Sequence, residues 1–326
     1  MRAASEVPDA ALARGGRTPD FFIVGHAKSG TTALYTMLKS HPQIFLSDLK
    51  ETRFFARELH PGLTTSDVHP KTLEEYLALF APARSDQIVG EVSPSYLRSR
   101  DAARRIAELR PDARIIAILR EPVSFLRSLH LQLLEDHVET EKSLRRALAR
   151  EPQRLRERDA GAPVEQGLLY GQHVHYVEQL ERFRAVFSED RMLVLIYDDF
   201  SADNEATVRR VLDFLGVDDR LPVEASEANP TVRVRSPRLY GIVRTLYLGE
   251  GRVAAALKRA VKAMTPRRLR RDGMTVLRRR VLYGSPQDTD HELELELKRR
   301  YGGEVAALSA YLDRDLVSLW DYAGRA

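Results

Sequence analysis

The feature that most constrains the fold is residues 21–32, with the sequence Phe-Phe-Ile-Val-Gly-His-Ala-Lys-Ser-Gly-Thr-Thr. The apolar start of this stretch predicts a buried parallel strand, and residues 31–40, after a short loop, predict a helix. Free N–H groups and the positive end of the helix dipole attract anions to a helix N-terminus. Lys28 adds a positive charge to the loop. The stretch therefore predicts a site for a phosphate-like group.

The position of the lysine distinguishes this loop from the loop of ordinary Mg-ATP sites. A Walker A loop has the form Gly-x-x-x-x-Gly-Lys-Ser/Thr, with the lysine directly after the second glycine. Here Gly25 and Gly30 have the required spacing, but Thr31 follows Gly30, and Lys28 stands two residues before it. We therefore expect neither Mg-ATP nor a bound metal ion at this loop.

The chain alternates short apolar runs with amphipathic segments. The runs predict strands at 21–25, 87–92, 113–119 and 192–197. The amphipathic segments predict helices at 30–40, 99–110, 122–136 and 203–215. This alternation predicts an α/β fold, a three-layer α/β/α sandwich with a central parallel sheet of the P-loop NTPase type. Ligands bind such sheets at the C-terminal ends of the strands, where the motif loops begin.

Composition limits the class of protein. The 326 residues are 43% hydrophobic and 30% charged, which suits a core with a charged surface. No apolar run approaches the ~20 residues of a membrane-spanning helix. Zero cysteines exclude disulfides, thiolate metal sites and thiol catalysis, and are compatible with the cytoplasmic location that we expect. Residues 1–19 lack the apolar core of a signal peptide and predict a disordered lead-in.

Residues 20–326 are predicted to form one domain. Within it, residues 137–165 are rich in Glu and Arg and predict an exposed lid over the ligand site. Residues 167–187 predict a helix that returns to the core, and residues 291–321 predict a C-terminal helix with Trp320 in the core. Residues 225–285 predict a basic region beside the ligand site.

The net charge of +4 is unevenly distributed along the chain. Between Arg252 and Arg280, eleven Lys and Arg residues stand against one acid, Asp272. Residues 252–280 are either a solvated basic face or a clamp for cofactor phosphates, an anionic acceptor or lipid headgroups at a membrane surface. Nucleic acid is a poorer candidate, because no recognition motif accompanies the segment and the rest of the chain is acidic.

Four blocks of residues resemble the sulfotransferases that use 3′-phosphoadenosine 5′-phosphosulfate (PAPS). The loop Gly25-x-x-Lys28-Ser-Gly-Thr-Thr resembles their phosphosulfate loop. The blocks Lys50-Glu51-Thr-Arg-Phe-Phe and Gly90-Glu91-Val-Ser-Pro-Ser-Tyr resemble the branch that contains the heparan sulfate sulfotransferases and many bacterial enzymes. The run 115–122, with Ser128 eight residues after Arg120, resembles the 3′-phosphate motif. Because the blocks occur in the family's order over residues 20–220, the chain is identified as a member.

The resemblance implies PAPS as the sulfuryl donor and a hydroxyl group of a carbohydrate, glycolipid or secondary metabolite as the acceptor. It implies that Lys28 neutralises charge on the leaving phosphate and that Arg120 and Ser128 hold the 3′-phosphate. A guanidinium group suits this task because it binds phosphate bidentately. The resemblance also assigns cofactor binding to seven loop residues: His26, Ala27, Lys28, Ser29, Gly30, Thr31 and Thr32.

A general base must take the proton of an acceptor hydroxyl. The resemblance implies that Glu51 is this base, and the neighbouring Arg53 favours the ionised form of its carboxyl group. Glu91 is a competing catalytic candidate, or it orients Lys28 or the acceptor. Two histidines are further candidates for proton transfer: His26 and His130.

Two other functions stay open at this stage. A P-loop kinase with a displaced lysine would need Mg²⁺ and an acidic ligand after a strand, a position that Asp198 and Asp199 occupy. A non-catalytic nucleotide-binding or membrane-associated scaffold would use the basic segment 252–280. The sulfotransferase interpretation is favoured because a kinase does not explain Arg120 together with Ser128.

Overall fold

The computed structural model describes residues 17–60, 68–219, 233–234, 283–284 and 290–324. Residues 1–16 of the predicted lead-in and the basic segment 252–280 lie outside the described residues. The predicted basic region 225–285 is described only at 233–234 and 283–284. The chain groups into two compact units. The first unit draws on residues 1–126, 151–229 and 297–326, and the second on 127–150 and 230–296.

Five parallel strands form the sheet of the first unit: β1 Phe21–Gly25, β2 Ile44–Leu46, β3 Ile88–Val92, β4 Arg114–Leu119 and β5 Met192–Ile196. Their order is β2-β3-β1-β4-β5. All five residues of the central strand β1 are buried, which explains its continuous apolar run. The chain leaves β1 toward β2 and leaves β4 toward β5, in opposite directions along the sheet. The ends of β1 and β4 therefore flank the switch point where such sheets bind ligands.

Eleven helices are described: α1 Thr31–Lys39, α2 Leu73–Ala78, α3 Ala102–Leu109, α4 Pro122–Glu135, α5 Leu144–Ala149, α6 Glu151–Asp159, α7 Tyr176–Arg184, α8 Tyr197–Ala202, α9 Asn204–Leu215, α10 His291–Tyr311 and α11 Leu316–Leu319. Local signals fix several helix ends. Thr72 and Glu75 form a capping box at the start of α2, and Asp203 caps α9. None of the described helices is both long and apolar enough to cross a membrane.

Successive side chains of a strand point to opposite faces of the sheet, and in β1 the side chains on both faces are buried. Phe21 and Ile23 belong to a cluster with the apolar residues of α1, α8 and α9. Phe22 faces the other way and contacts the ring of Phe55, with 6.1 Å between the ring centroids. The predicted α/β fold with a central parallel sheet flanked by helices is confirmed.

The structure corrects the extent of two predicted helices. Instead of one helix over 167–187, two 3₁₀ turns, Gln166–Leu168 and Tyr170–His173, precede α7. Their backbone groups bind side chains: Gly171 N donates to Glu151 Oε1 at 2.6 Å, and Gln179 Nε2 donates to the carbonyl groups of Gln172 and His173. The predicted helix 291–321 is divided into α10 and α11 because the chain turns at residues 312–315.

Several other expectations concern the organisation of the chain. Trp320 is buried, as predicted, at 4% exposure. Residues 137–165 contain α5 and α6, and Ala147 and Leu148 of α5 are buried. The role of this segment as a lid, and the single-domain organisation, stay predictions.

The described part of the second unit contains residues 127–135 of α4, α5, residues 290–296 at the start of α10, and a two-stranded antiparallel sheet. The sheet pairs β6, Arg233–Val234, with β7, Tyr283–Gly284. Arg145 of α5 forms ion pairs with Asp290 and Glu296, at 3.3 and 2.5 Å. These contacts join two segments of the second unit that are distant in the sequence.

Candidate active site

The loop between β1 and α1 has a backbone conformation that suits an anion site. Gly30, the N-cap of α1, has a φ of 88°, and a Cβ atom there would lie 2.9 Å from the Phe200 ring. The position therefore requires glycine. Lys28 is also left-handed, with a φ of 61°. Among the described residues, no side chain caps α1, and its first turn contains no acid. Its N-terminal N–H groups thus suit an anionic ligand.

Arg120 follows β4 and contacts this loop at the switch point. Its Nη1 donates to the carbonyl oxygen of Lys28 at 3.0 Å, and its guanidinium carbon lies 4.6 Å from the centroid of the Tyr197 ring. The Tyr176 hydroxyl donates to the carbonyl oxygen of Arg120 at 2.8 Å. The structure therefore brings together the predicted residues Lys28 and Arg120.

Glu51 is joined to the same loop through Lys50. Lys50 Nζ donates to Thr32 Oγ1 at 2.9 Å and lies 3.2 Å from Glu51 Oε1. The other carboxylate oxygen, Oε2, accepts from Arg53 Nη2 at 3.1 Å. Glu51 and Arg53 both have positive φ, 61° and 56°, and Glu51 N donates to Val92 O at the end of β3. A tight turn therefore holds the carboxylate beside the anion loop.

The two cations keep Glu51 ionised. Burial alone would raise the pKa of its carboxyl group. The charges of Lys50 and Arg53, with the hydrogen bonds that they donate, outweigh burial and lower the pKa below its ordinary value. Because this side chain keeps about a third of its surface exposed, at 36%, the carboxylate can meet a ligand from solution.

Glu91, the second predicted carboxylate, lies beneath this turn and is 2% exposed. Its Oε1 accepts from Thr52 Oγ1 at 3.0 Å and from Ser93 Oγ at 2.5 Å, and its Oε2 accepts from the Tyr76 hydroxyl at 3.4 Å. Burial raises the pKa of Glu91 to about 7, although these hydrogen bonds act in the opposite direction.

The hydrogen bonds of Glu91 connect it to the turn that carries Glu51. Thr52 stands between Glu51 and Arg53, and Ser93 Oγ accepts from Arg53 N at 3.1 Å. Thr52 Oγ1, which donates to Glu91, accepts in turn from the Tyr96 hydroxyl at 3.1 Å. The geometry therefore favours a positioning role for Glu91, and its role as a base stays a prediction.

Comparison with known proteins identifies the family. Residues 19–220 match the sequence profile described as the Sulfotransferase family. The chain belongs to the sulfotransferase family. Its identification from the four sequence blocks is thereby confirmed.

Two relatives and one solved structure illustrate the similarity of this sulfotransferase family member to known proteins. Mouse heparan sulfate glucosamine 3-O-sulfotransferase 3A1 is 30% identical over 206 residues, which are 61% of this chain and 46% of the relative. Human heparan sulfate glucosamine 3-O-sulfotransferase 6 is 29% identical over 207 residues, 62% of this chain and 53% of that protein. The chain thus spans about half the length of these relatives. The crystal structure of a sulfotransferase from Alicyclobacillus acidocaldarius superimposes with a TM-score of 0.67 at 26% identity, covering 94% of this chain and 99% of that one.

His26 supports the loop of this sulfotransferase family member from behind. Its Nε2 lies 2.7 Å from Gln179 Oε1, which must accept because Gln179 Nε2 donates to two carbonyl groups. His26 Nε2 therefore carries the proton. Burial lowers the pKa of His26 to about 4 despite this bond, so the ring is neutral, and it packs against Phe125 and Tyr176.

The other predicted loop residues and the two residues of α4 occupy different environments. Ser29 and Thr31 are buried, whereas Thr32 is exposed, and Ser29 Oγ donates to Ala27 O at 3.4 Å. Ser128 and His130 lie in the second unit. Ser128 Oγ is buried without a hydrogen-bond partner in the described part of the chain, and His130 Nε2 lies 3.2 Å from Lys142 O.

The candidate site includes residues that the sequence analysis did not single out. Lys50 was part of a quoted block, but its link from Thr32 to Glu51 depends on the turn. The hydroxyl groups around Glu91 come from three separate segments: Thr52, Tyr76, Ser93 and Tyr96. Proximity in sequence to the two glutamates could have identified Thr52 and Ser93, whereas nothing in the sequence identifies Tyr76.

The acids that a kinase would use are engaged in structural contacts. Asp199 pairs with both terminal nitrogens of Arg314, one at 2.7 Å, and Asp198 accepts from Trp320 Nε1 at 3.0 Å. These bonds attach the C-terminal segment to α8. Because both carboxylates already have donors, they suit a structural role better than coordination of Mg²⁺.

Proposed function

We propose that the chain transfers a sulfuryl group from PAPS to a hydroxyl group of a carbohydrate-type acceptor. One observation carries the proposal: an ionised carboxylate, Glu51, is joined through Lys50 to the anion loop that follows β1. An anion site beside a base is the arrangement that this reaction needs.

The residues present fit PAPS. The N-terminal N–H groups of α1 and the Lys28 charge suit a phosphosulfate, and the Arg120 guanidinium suits a phosphate monoester. That Ser128 holds the 3′-phosphate together with Arg120 stays a prediction. When bound, PAPS supplies the sulfuryl group and a leaving phosphate.

In the proposed mechanism, Glu51 accepts the proton of the acceptor hydroxyl as that oxygen forms a bond to sulfur. The bond between sulfur and the bridging oxygen breaks, and its electron pair stays on the phosphate. Lys28 and the α1 N-terminus stabilise the charge that develops there. Lys50 and Arg53 keep Glu51 deprotonated before the reaction, at some cost in basicity.

Two earlier expectations accompany the proposal. A cytoplasmic location stays a prediction. Peripheral membrane contact through residues 252–280 also stays a prediction, because this segment lies outside the described residues.

Calorimetry with adenosine 3′,5′-bisphosphate (PAP) tests the donor site. We expect micromolar binding of PAP, with much weaker binding of 5′-AMP and Mg-ATP. Arg120→Ala should weaken PAP binding about tenfold or more, because it removes charge-assisted hydrogen bonds. The matched control is Arg104→Ala, since Arg104 is an exposed arginine on α3. Equal binding of Mg-ATP, or no PAP binding, would contradict the proposal.

A further inference from the structure

Residues 314–322, which include α11, contact two elements of the proposed donor site. This segment lies outside the four sequence blocks, which end by residue 220. Tyr322 and Trp320 are buried, at 0% and 4% exposure. Lys298 Nζ of α10 donates to the carbonyl oxygen and to the carboxylate of Asp321, both at 3.2 Å. These contacts hold segment 314–322 in one position within the first unit.

The first contact is with Glu121, the residue directly after Arg120. The Tyr322 hydroxyl donates to Glu121 Oε1 at 2.6 Å. The same carboxylate accepts from the backbone N–H groups of Val123 and Ser124 at the start of α4, at 2.8 and 2.6 Å. With these three donors, Glu121 forms no ion pair with Arg120 in the described part of the chain. The Arg120 guanidinium therefore keeps its charge for a ligand.

The other contacts are with the first turn of α8. Arg314 binds Asp199 through both of its terminal nitrogens, and Nη2 lies 2.7 Å from Asp199 Oδ1. Trp320 Nε1 donates to Asp198 Oδ2 at 3.0 Å. A two-pronged pair between an arginine and a carboxylate fixes orientation as well as distance. Segment 314–322 therefore holds two successive residues of this turn.

The same turn begins with Tyr197, whose ring lies against the Arg120 guanidinium group. The guanidinium carbon is 4.6 Å from the ring centroid. Phe200, further along α8, is buried in the core cluster, so core packing fixes that part of the helix. Segment 314–322 thus holds the part of α8 that contacts Arg120.

We propose that segment 314–322 positions Arg120 and thereby sets the preference of the donor site for a nucleotide with a 3′-phosphate. This inference rests on the proposed function, in which the 3′-phosphate meets Arg120. Tyr322 keeps Glu121 from pairing with Arg120, and the contacts with α8 keep the Tyr197 ring against the guanidinium group. An arginine that is held in place before the ligand arrives loses less side-chain freedom on binding, so it binds more tightly. Tyr322 is a positioning residue that acts through Glu121.

Tyr322→Phe tests the contact with Glu121, because it removes only the hydroxyl group. Without this donor, a Glu121 oxygen can pair with Arg120 and compete with the 3′-phosphate. Calorimetry on the full chain should show PAP binding weakened about three- to tenfold. Binding of 5′-AMP, which lacks the 3′-phosphate, should stay within about twofold of the wild type. The matched control is Tyr311→Phe, at the end of α10, where the ring lies 5.8 Å from the Arg184 guanidinium carbon. It should change neither affinity.

A double-mutant cycle tests whether Tyr322 acts through Arg120. In the Arg120→Ala chain, Tyr322→Phe should change PAP affinity by less than about twofold, because no guanidinium group remains to be positioned. A role in general stability predicts no such dependence. Arg314→Gln removes the pair with Asp199 and should weaken PAP binding about two- to fivefold more than 5′-AMP binding. This variant provides the same test if Tyr322→Phe does not fold.

Three outcomes would overturn the positioning role of segment 314–322. The first is that Tyr322→Phe and Arg314→Gln weaken PAP and 5′-AMP binding by the same factor, and the second is that they leave both unchanged. The third is that Tyr322→Phe weakens PAP binding as much in the Arg120→Ala chain as in the wild type. Absence of PAP binding by the wild type would overturn the proposed function as well, so the two failures are distinguishable.

Discussion

The turn that carries Glu51 and the pocket that holds Glu91 place two carboxylates in contrasting surroundings. Glu51 is half-buried between Lys50 and Arg53, which lower its pKa. Glu91 is fully buried among hydroxyl groups, and burial raises its pKa to about 7. Only Glu51 has the exposure that a base needs to reach an acceptor.

The difference shows how surroundings assign roles to identical side chains. Two cations keep Glu51 in the charged form that accepts a proton. The hydroxyl groups of Thr52 and Ser93 connect Glu91 to the turn that carries Glu51, so Glu91 stabilises that turn. Loss of the Glu51 carboxylate is expected to lower kcat, whereas loss of the Glu91 carboxylate is expected to raise stability at high pH. The following variants test these expectations in order of expected size.

Glu51→Gln is expected to cause the largest loss. The amide keeps the shape of the side chain but accepts no proton, so kcat for sulfuryl transfer should fall by about 10² to 10⁴. PAP affinity should stay within about threefold of the wild type. Steady-state kinetics with radiolabelled PAPS and calorimetry measure the two quantities. Glu108→Gln, at an exposed acid on α3, is the control. Retained kcat in Glu51→Gln would break the assignment of the base.

Glu91→Gln is expected to act on stability and to reduce kcat by less than tenfold. The pKa of Glu91 is raised from 4.5 to about 7, so the folded state holds a proton that the unfolded state has released between these values. Its stabilising contribution is full below pH 4.5 and is lost as pH rises to 7, a loss of roughly 3 kcal/mol. The glutamine side chain of the Glu91→Gln variant stays neutral, so the variant should not lose this stability as the pH rises.

Urea unfolding at pH 5 and pH 8 measures the effect of Glu91→Gln. Relative to the wild type, the variant should be more stable at pH 8 than at pH 5. The same stability difference at both pH values would show that Glu91 does not titrate as its burial implies. If kcat in Glu91→Gln fell as much as in Glu51→Gln, Glu91 would again be a candidate for the general base.

Much of this site could be predicted from the sequence, because its main residues follow strands. β1 and β5 are continuous apolar runs, β4 is apolar after Arg114, and β3 is apolar except at Gly90 and Glu91. Parallel strands bring the residues after them to one edge of the sheet. That argument places the anion loop and Arg120 together. β2 has only three residues, too few for a periodic signal.

The rest of the site depends on contacts between residues that are far apart in the sequence. Thr52 and Glu91 are separated by 39 residues, and their hydrogen bond exists only because the Glu51 turn docks on the end of β3. The helix predicted over 167–187 is shorter because Glu151 of α6 binds the backbone N–H of Gly171, and Gln179 of α7 binds the carbonyl groups of Gln172 and His173. No local propensity contains this information.

Lys50→Met removes the link between Glu51 and the anion loop that follows β1. Lys50 binds Thr32 Oγ1 as well as the carboxylate, so we expect kcat to fall about tenfold and PAP affinity to weaken severalfold. The same kinetics and calorimetry report both. The control is Lys39→Met. Lys39 is the last residue of α1 and pairs with Asp48, so this variant should bind PAP normally. Normal kcat in Lys50→Met would show that the link is not used.

Arg53→Gln is expected to have the smallest effect, and its signature is the pH profile. Loss of this cation destabilises the carboxylate, so the pKa of Glu51 should rise toward its ordinary value and the acid limb of kcat should move to higher pH. A partly exposed ion pair contributes about 0.5–1 kcal/mol, so kcat on the acid limb, at about pH 3.5, should fall about two- to fourfold. At pH 8 Glu51 stays ionised and is a stronger base, so kcat should not fall. An equal decrease at both pH values would mean that Arg53 holds the shape of the turn rather than the charge of Glu51.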